Sequence, residues 1–502
     1  MNQGKRMKEK SKTKQGGTLM KESNKVQNKK RNSKKASTFF LITTLIFIII
    51  TGVFITSIIK MNLLPGKYLT IFSLVELVLT VLIVCGLAKK HKTYKLNIFS
   101  LFLAIIFSVI YIFAINYASV TNSFLGNMFK EITETEDYYV VTQKNSNYNK
   151  ISELKDKNIN LFQIEDDVEQ EIKNKSNASL NKKDSMQDVG NSLMDGRCDA
   201  IAVSSSQYNM LDELIENFKA DTKIIYTATH KIEKTTELDD QNSDYNIDDK
   251  AFNIYISGID TSGKISNVSR SDANIIVTVN LKKHEILLTS IPRDYYVTLH
   301  SKKAKDKLTH SGIYGINETV TTVEDLLDID INYYVRVNFT TVIKLVDTLG
   351  GVDVNSEYSF STGTYSFRKG INHLDGDAAL AFSRERHSFV DGDNQRVKNQ
   401  QKVIEAIVNK VTGSTTILTK YTSILNGLKG CFQTNISQEE ISSIVKEQLN
   451  SMPSWKITNN SLTGTGTYSS TYSMGSQELY VMIPDSASVK DATDKINAVL
   501  NK

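Results

Sequence analysis

Five arginines, two aspartates and one glutamine in the second half of this 502-residue chain have the types and spacings that grip a phosphate-like anion: Arg270, Arg293, Arg384, Arg386, Arg396, Asp260, Asp272 and Gln400. In Leu380-Ala381-Phe382-Ser383-Arg384-Glu385-Arg386 the two arginines stand two residues apart. On an extended chain that spacing puts both guanidinium groups on one face, each able to hold a phosphate through two parallel hydrogen bonds. Arg396 then opens a helical pattern through Asn399, Gln400, Val403, Ile404, Ile407 and Val411, so the inward stripe begins with Arg396 and Gln400. Polar groups on an inward face need partners or a ligand, because burying an unpaired charge is costly. Asp260, Arg270, Asp272 and Arg293-Asp294 collect where strand patterns end. Functional sites of sheet proteins concentrate there, although ordinary surface charge does too. Any one of these residues alone reads as a salt-bridge partner; the cluster carries the reading. Asp391 and Asp393 precede the Arg396 helix, where carboxylates cap free amides, and capping accounts for them.

Arginines converging in an acidic stretch suggest a locally held anion, and the carboxylates among them suggest a divalent metal. Pyrophosphate with Mg²⁺ (or Mn²⁺) satisfies both. The sequence has no Gly-rich phosphate loop, no nucleophile elbow and no His pair at metal spacing. Nucleotide hydrolysis, serine hydrolysis and zinc chemistry therefore lack support. Cys85 lies in an apolar run and Cys198 and Cys431 are far apart, so no metal or redox spacing is present and a single disulfide stays open.

The elements that must position this cluster are legible from Ala251 onward. Phe252, Ile254 and Ile256 alternate into Gly258-Ile259-Asp260; Ile275, Val277 and Val279 alternate; Ile286 to Ile291 follows a polar turn. These predict three strands, the last two a hairpin. Helical patterns at Val320 to Leu327 and at Phe339 to Leu349, the second stopped by Gly350-Gly351, flank a strand at Tyr333 to Val337. The fold expected for 251–502 is α/β, a mixed sheet flanked by helices. Before it, 130–232 has a strand pattern at Asn158 to Ile164, a polar helix-like stretch, and an amphipathic helix, glycine stop and buried strand from Met186 to Val203. That order predicts a smaller α/β accessory domain, loosely like one lobe of a periplasmic-type binding protein, for which a spacer or interaction role is the plainer reading. The polar stretch 233–250 is its linker.

The chain carries +11 up to Ser37 (13 Lys/Arg against 2 Asp/Glu) and −11 from Ala118 onward (41 against 52). The basic head, 1–37, has too few apolar residues to offset its own ordering entropy and is expected to be disordered. Between these ends, 38–129 holds three long apolar runs, interrupted within a run only by Glu76. Each exceeds the ~20 residues a helix needs to cross a bilayer core. The loop Lys89 to Lys95 is basic like the head. Both basic segments belong on the cytoplasmic side, so everything after the third span is expected outside. The head is better explained as this topology signal than as a site for anionic membrane lipid or nucleic acid. Glu76 has no charged partner in the spans; a neutral, hydrogen-bonded carboxyl at a helix contact explains it without a catalytic role.

At the cluster residues the sequence resembles the LytR-CpsA-Psr family, specifically its streptococcal capsule-associated type with three membrane spans and an accessory domain. The matching stretches are Asn253 to Asp260, Ser269-Arg270-Ser271-Asp272, Ser290-Ile291-Pro292-Arg293-Asp294, Leu374-Asp375-Gly376-Asp377-Ala378 and Phe382 to Gln401. Trp455 and Leu479 to Asp485 resemble the family's C-terminal end. The resemblance implies a multi-pass membrane enzyme of a Gram-positive bacterium. It would transfer a glycopolymer, such as capsular polysaccharide or teichoic acid, from an undecaprenyl-pyrophosphate carrier onto peptidoglycan. It implies Asp260 and Asp272 as the carboxylates associated with Mg²⁺, either of which could accept a proton from the acceptor hydroxyl. It implies Arg293, Arg384, Arg386, Arg396 and Gln400 as the pyrophosphate set, with Arg270 beside them. Many members carry Arg where this chain has Lys398; lysine lacks the bidentate fork, so Lys398 is left outside the site. A membrane sensor of wall precursors and a hydrolase of the lipid pyrophosphate are the rival functions.

Overall fold

A computed structural model describes residues 37–88, 95–128, 134–232, 251–259, 265, 268–390, 392–413, 426, 430–451 and 454–501. The basic head before Ser37, the loop 89–94, the linker 233–250, Asp260 and Asp391 lie outside the described residues. The chain forms two compact units, Met1–Asn122 and Ser123–Lys502.

In the first unit, α1 (Ser37–Met61) and α2 (Gly66–Ala88) are joined by α3 (Lys95–Met128), and all three are long and apolar enough to cross a membrane. Phe47 and Phe54 of α1, Ile83 and Leu87 of α2, and Ala104 and Tyr111 of α3 form their shared core. Glu76 is buried and accepts a hydrogen bond from Tyr111 Oη at 2.5 Å, with the Phe54 ring stacked 4.4 Å from that tyrosine. The partner that the sequence did not reveal is thus a neutral hydroxyl. Asn97 Nδ2 donates to the carbonyls of Gly86 (3.0 Å) and Leu87 (3.1 Å), which the end of α2 leaves without helical partners. Gly86 is required there, since a Cβ would sit 2.0 Å from Ser100 Oγ.

The second unit contains two principal sheets. The smaller has the order β3-β2-β4-β1-β5, built from β1 (Thr135–Gln143), β2 (Asn158–Leu161), β3 (Ser179–Lys182), β4 (Ala200–Ser204) and β5 (Thr222–Lys231). β2, β3 and β4 run parallel, with antiparallel β1 and β5 added at one side. The helices α4 (Asp166–Ser176), α5 (Met186–Met194) and α6 (Ser205–Leu214) connect or follow the parallel strands. Ser185 Oγ caps α5 and Ser204 with Gln207 forms a capping box on α6, so both helices start where the sequence supplies an acceptor for their free amides.

The larger sheet is the mixed one expected. It contains β6 (Ala251–Ile259), β7 (Ser271–Asn280), β8 (Glu285–Ile291), β9 (Tyr333–Asn338), β10 (Phe432–Thr434) and β11 (Lys456–Ser461), in the order β10-β9-β6-β7-β8-β11. β7 and β8 form the expected hairpin, while β9 joins β6 and β11 joins β8 in parallel. Tyr255, Ile276, Leu287 and Ile291 pack against Val320 and Val323 of α7 (Ile316–Leu327) and against the C-terminal helix Ser486–Leu500. α8 (Phe339–Leu349) starts on an Asn338–Thr341 capping box and stops at Gly350, whose φ of +79° the glycine permits. α9 (Gly376–Arg384) and α10 (Asp393–Gly413) pack with α8 around Phe382 and Val403.

The core of the smaller sheet takes in residues from the later part of the chain, Ile313 and Met474. Met474, in the turn between the hairpin strands Gly464–Thr471 and Gly475–Pro484, is buried among Phe162, Met186 and Val189 of the smaller sheet's layer. Arg336 of β9 is fully buried and donates to Glu134, the residue before β1. Burial pulls the Arg336 guanidinium below its ordinary value, against the opposing charge of Glu134.

Candidate functional site

The first residues of β7 and the residues after β8 lie at one end of the hairpin, and there the structure brings sequence-distant charges together. Asp272 Oδ2 accepts from Arg293 Nη1 at 3.0 Å, and Asp272 Oδ1 accepts from Thr309 Oγ1 at 2.8 Å. The Asp272 side chain keeps only 20% of its surface. Burial alone would push its carboxyl up, but Arg293, Arg270 and Arg396 outweigh that and hold it below the usual carboxylate range. Asp294 continues the network, accepting from Lys307 Nζ at 2.9 Å with Arg293 Nε 3.7 Å away. Four of the residues expected at the site, Arg270, Asp272, Arg293 and Arg396, therefore act on one another electrostatically. Asp260 lies outside the described residues, one position beyond the end of β6.

The reading of Leu380 to Arg386 as an extended segment is corrected by the structure. Arg384 is the last residue of α9, which Asp375 initiates by accepting from the Ala378 amide at 2.9 Å. Glu385, just beyond it, is extended. The apolar spacing Ala378, Ala379 and Phe382 is helical, and those residues are buried; the Arg-x-Arg pattern masked that periodicity. The guanidinium of Arg384 lies over the Phe339 ring, 4.2 Å from its centroid, and Arg386 Nε is 3.3 Å from His387 Nε2. Both arginine side chains are exposed, which suits groups that meet a ligand rather than a core.

α10 begins three residues before Arg396, and Arg396 is 6% exposed, as its place on the inward stripe requires. Gln400 is half-buried, whereas its neighbour Gln401 is 3% exposed and donates to Ser290 Oγ (2.8 Å) and the Asn460 carbonyl (2.7 Å). Gln401 thus fixes α10 to β8 and β11. Thr309, Lys307 and Gln401 were missed by sequence reasoning. The run Lys307-Leu308-Thr309-His310, four polar or apolar types with no period, gave no signal of its proximity to Asp272. The three cysteines are free, which closes the question of a Cys198–Cys431 disulfide.

Among the described residues no three His, Cys, Asp or Glu side chains stand together as a metal cage. The donor set nonetheless fits Mg²⁺, which is held through one or two carboxylates together with phosphate oxygens. Asp272 is kept ionised, and each of its oxygens carries one donor in the hydrogen bonds above and has a second lone pair.

The LytR_cpsA_psr family model matches residues 218–495. The Polyisoprenyl-teichoic acid--peptidoglycan teichoic acid transferase TagU of Bacillus cereus is 33% identical over 264 residues, covering 52% of this chain and 81% of the relative. The protein of the same name from Bacillus mycoides is 31% identical over 313 residues, covering 62% of this chain and 95% of the relative. The crystal structure of Bacillus subtilis TagU has 33% identity and a TM-score of 0.40 over 50% of this chain and 98% of that one. With the family's match spanning residues 218–495 of 502, and the Bacillus mycoides relative covered over 95% of its length at 31% identity, the chain belongs to the LytR_cpsA_psr family.

Proposed function

We propose that this protein transfers a glycopolymer, a teichoic acid or a capsular polysaccharide, from an undecaprenyl-pyrophosphate carrier to peptidoglycan. The lysine bias around the spans supports placing everything from about Lys130 onward on the outer face of the cell membrane, and the wall substrates named for the relatives suit a Gram-positive cell. Relatives named for teichoic acid transfer from a polyisoprenyl carrier to peptidoglycan support the substrate class. The single observation that carries the reading is Asp272 bonded to Arg293 and Thr309 with Arg270 and Arg396 acting on it, while Arg384 and Arg386 stand exposed at and just beyond the end of α9, which packs on the helix of Arg396.

In the proposed step an acceptor sugar hydroxyl attacks the phosphorus that bears the glycopolymer and gives up its proton to solvent. The bond from that phosphorus to the bridging oxygen breaks, and undecaprenyl phosphate departs with the electron pair. The arginines hold the pyrophosphate oxygens and stabilise the charge that gathers on them, a task of positioning and electrostatics. Mg²⁺, held by Asp272 and by Asp260, would supply further neutralisation of that charge when bound. Asp272 is a poor proton acceptor, since its pKa is depressed and both oxygens accept hydrogen bonds. Its role is to keep Arg293 aimed and to anchor the cation.

The test is an acceptor-dependence assay on the reconstituted full chain with Mg²⁺, comparing the parent with Asp272→Ala. Polymer should appear on peptidoglycan only when acceptor is supplied, and Asp272→Ala should lower transfer at least a hundredfold with an unchanged fold. Release of free polymer without acceptor would make the protein a hydrolase; binding of donor with no turnover would make it a sensor.

A further inference from the structure

The segment Lys305–Lys307 and the helical turn Leu308–Ser311 stand between the phosphate site and the smaller sheet. Lys307 and Thr309 turn to the site, on Asp294 and Asp272. Asp306 and His310 turn the other way. Asp306 has no exposed surface; its Oδ1 accepts from His310 Nδ1 at 2.7 Å and its Oδ2 from the Ser473 amide at 2.8 Å. Ser473 Oγ also lies 2.7 Å from His310 Nδ1. A serine, a histidine and an aspartate together raise the question of a nucleophile. The geometry answers it: Ser473 and Asp306 meet the same ring nitrogen, so no proton can pass across the imidazole between them, and all three residues are buried.

The cluster instead ties two things together. Ser473 belongs to the hairpin turn whose next residue, Met474, is buried in the smaller sheet's core. Gln163 Nε2, just beyond β2, donates to the Tyr472 carbonyl of the same turn at 3.2 Å. Gly475 has φ +73° and approaches so closely that a Cβ would lie 2.5 Å from the Asp184 carbonyl oxygen. The turn is thus seated at the end of the smaller sheet where β2 leads into α4 and the residue before α5 lies.

We propose that Asp306, His310 and Ser473 are positioning residues, through which the seated turn sets how Thr309 and Lys307 stand against Asp272, Asp294 and Arg293. The accessory domain then acts on transfer by holding this turn in place. The inference rests on the phosphate site being the site of transfer. The links are Met474 packed in the accessory core, the Ser473 hydroxyl on His310, and Thr309, next to His310, on Asp272. Thr309 and His310 are adjacent in the same helical turn, and His310 is held by Asp306 and Ser473, so a shift of that contact moves Thr309 with it.

A double-mutant cycle on the reconstituted full chain tests this, using Ser473→Ala and Thr309→Val, with Thr309→Ser as the conservative control. Three quantities are read: kcat and KM for a lipid-linked teichoic acid donor, the Kd of a polyisoprenyl pyrophosphate in detergent, and the melting temperature. Each single variant should lower kcat about three- to tenfold with KM within about twofold, and Thr309→Ser should restore the parent value. The double variant should fall no further than the worse single one, because both break one chain of contacts. Factors that multiply, or an unchanged kcat in Ser473→Ala, would overturn the proposal. If Ser473→Ala does not fold, Met474→Ala takes its place in the same cycle. If the parent binds the pyrophosphate but transfers nothing, the transfer reading fails and the same cycle on Kd decides the positioning role.

Discussion

At the scale of single residues, the candidate site mixes side chains paired with each other and side chains that stand exposed. Asp272, Arg293 and Asp294 are paired within the protein, whereas Arg384 and Arg386 project from the end of α9 into solvent. The guanidinium of Arg384 lies over the Phe339 ring. Arg384→Lys keeps the charge and loses the planar fork, so polymer transfer should fall about tenfold to a hundredfold, and Arg384→Ala should fall further. Because the side chain is exposed, the melting temperature of either variant should stay within about 2 °C of the parent. A silent Arg384→Lys would mean that a diffuse positive field is enough. Stability lost in step with activity would make Arg384 a structural residue.

At the scale of elements, the strand patterns transferred directly from sequence to structure, and the reason is burial. β6, β7 and β8 alternate because one face packs on α7 and the other on the opposite layer, and the hydrophobic pattern fixes their register. α9 failed to be read because its nine residues are short for a helical period and end at Arg384, where the Arg-x-Arg spacing suggested an extended chain. Arg336 went unread for a different reason: nothing in Tyr333 to Val337 tells that its one charge points inward to a partner 202 residues away. That pair also makes an element-level prediction. Glu134→Ala strands a fully buried guanidinium and should cost about 3–5 kcal/mol, seen as a large drop in the melting temperature. Glu134→Leu combined with Arg336→Met should recover most of the loss, since it removes both charges together. A Glu134→Ala chain that melts like the parent would show that Arg336 does not depend on this partner.

At the scale of the whole molecule, the accessory sheet carries a group that ties stability to pH. Burial raises the Glu136 carboxyl from its ordinary 4.5 to about 7, against the lowering effect of Ser204 and Tyr138. Between those values the unfolded chain has released this proton and the folded chain still binds it. Stability should therefore fall as pH rises through that window and level off above it. Glu136→Gln removes the group, so its melting temperature should match the parent near pH 4.5 and exceed it by about 2–5 °C at pH 8. An equal difference at both pH values would mean that the effect comes from packing and not from ionisation.

What the sequence determined by itself was everything that depends on local period or on residue type. Three spans follow from uncharged length, the α/β order from alternation and helical spacing, and the family from its motifs taken in sequence. Only the tertiary structure decided which polar groups meet. It seated Tyr111 on Glu76, Thr309 and Arg293 on Asp272, Arg336 on Glu134 and Ser473 on Asp306. It also decided that Met474, in the hairpin turn near the end of the chain, is buried in the core of the accessory sheet. The physical reason is that hydrophobic burial leaves a periodic trace along the chain, because each element must present one face. A polar pair leaves none: it needs only that two atoms arrive within hydrogen-bond reach, and residues far apart in sequence are brought there by the packing of everything between them.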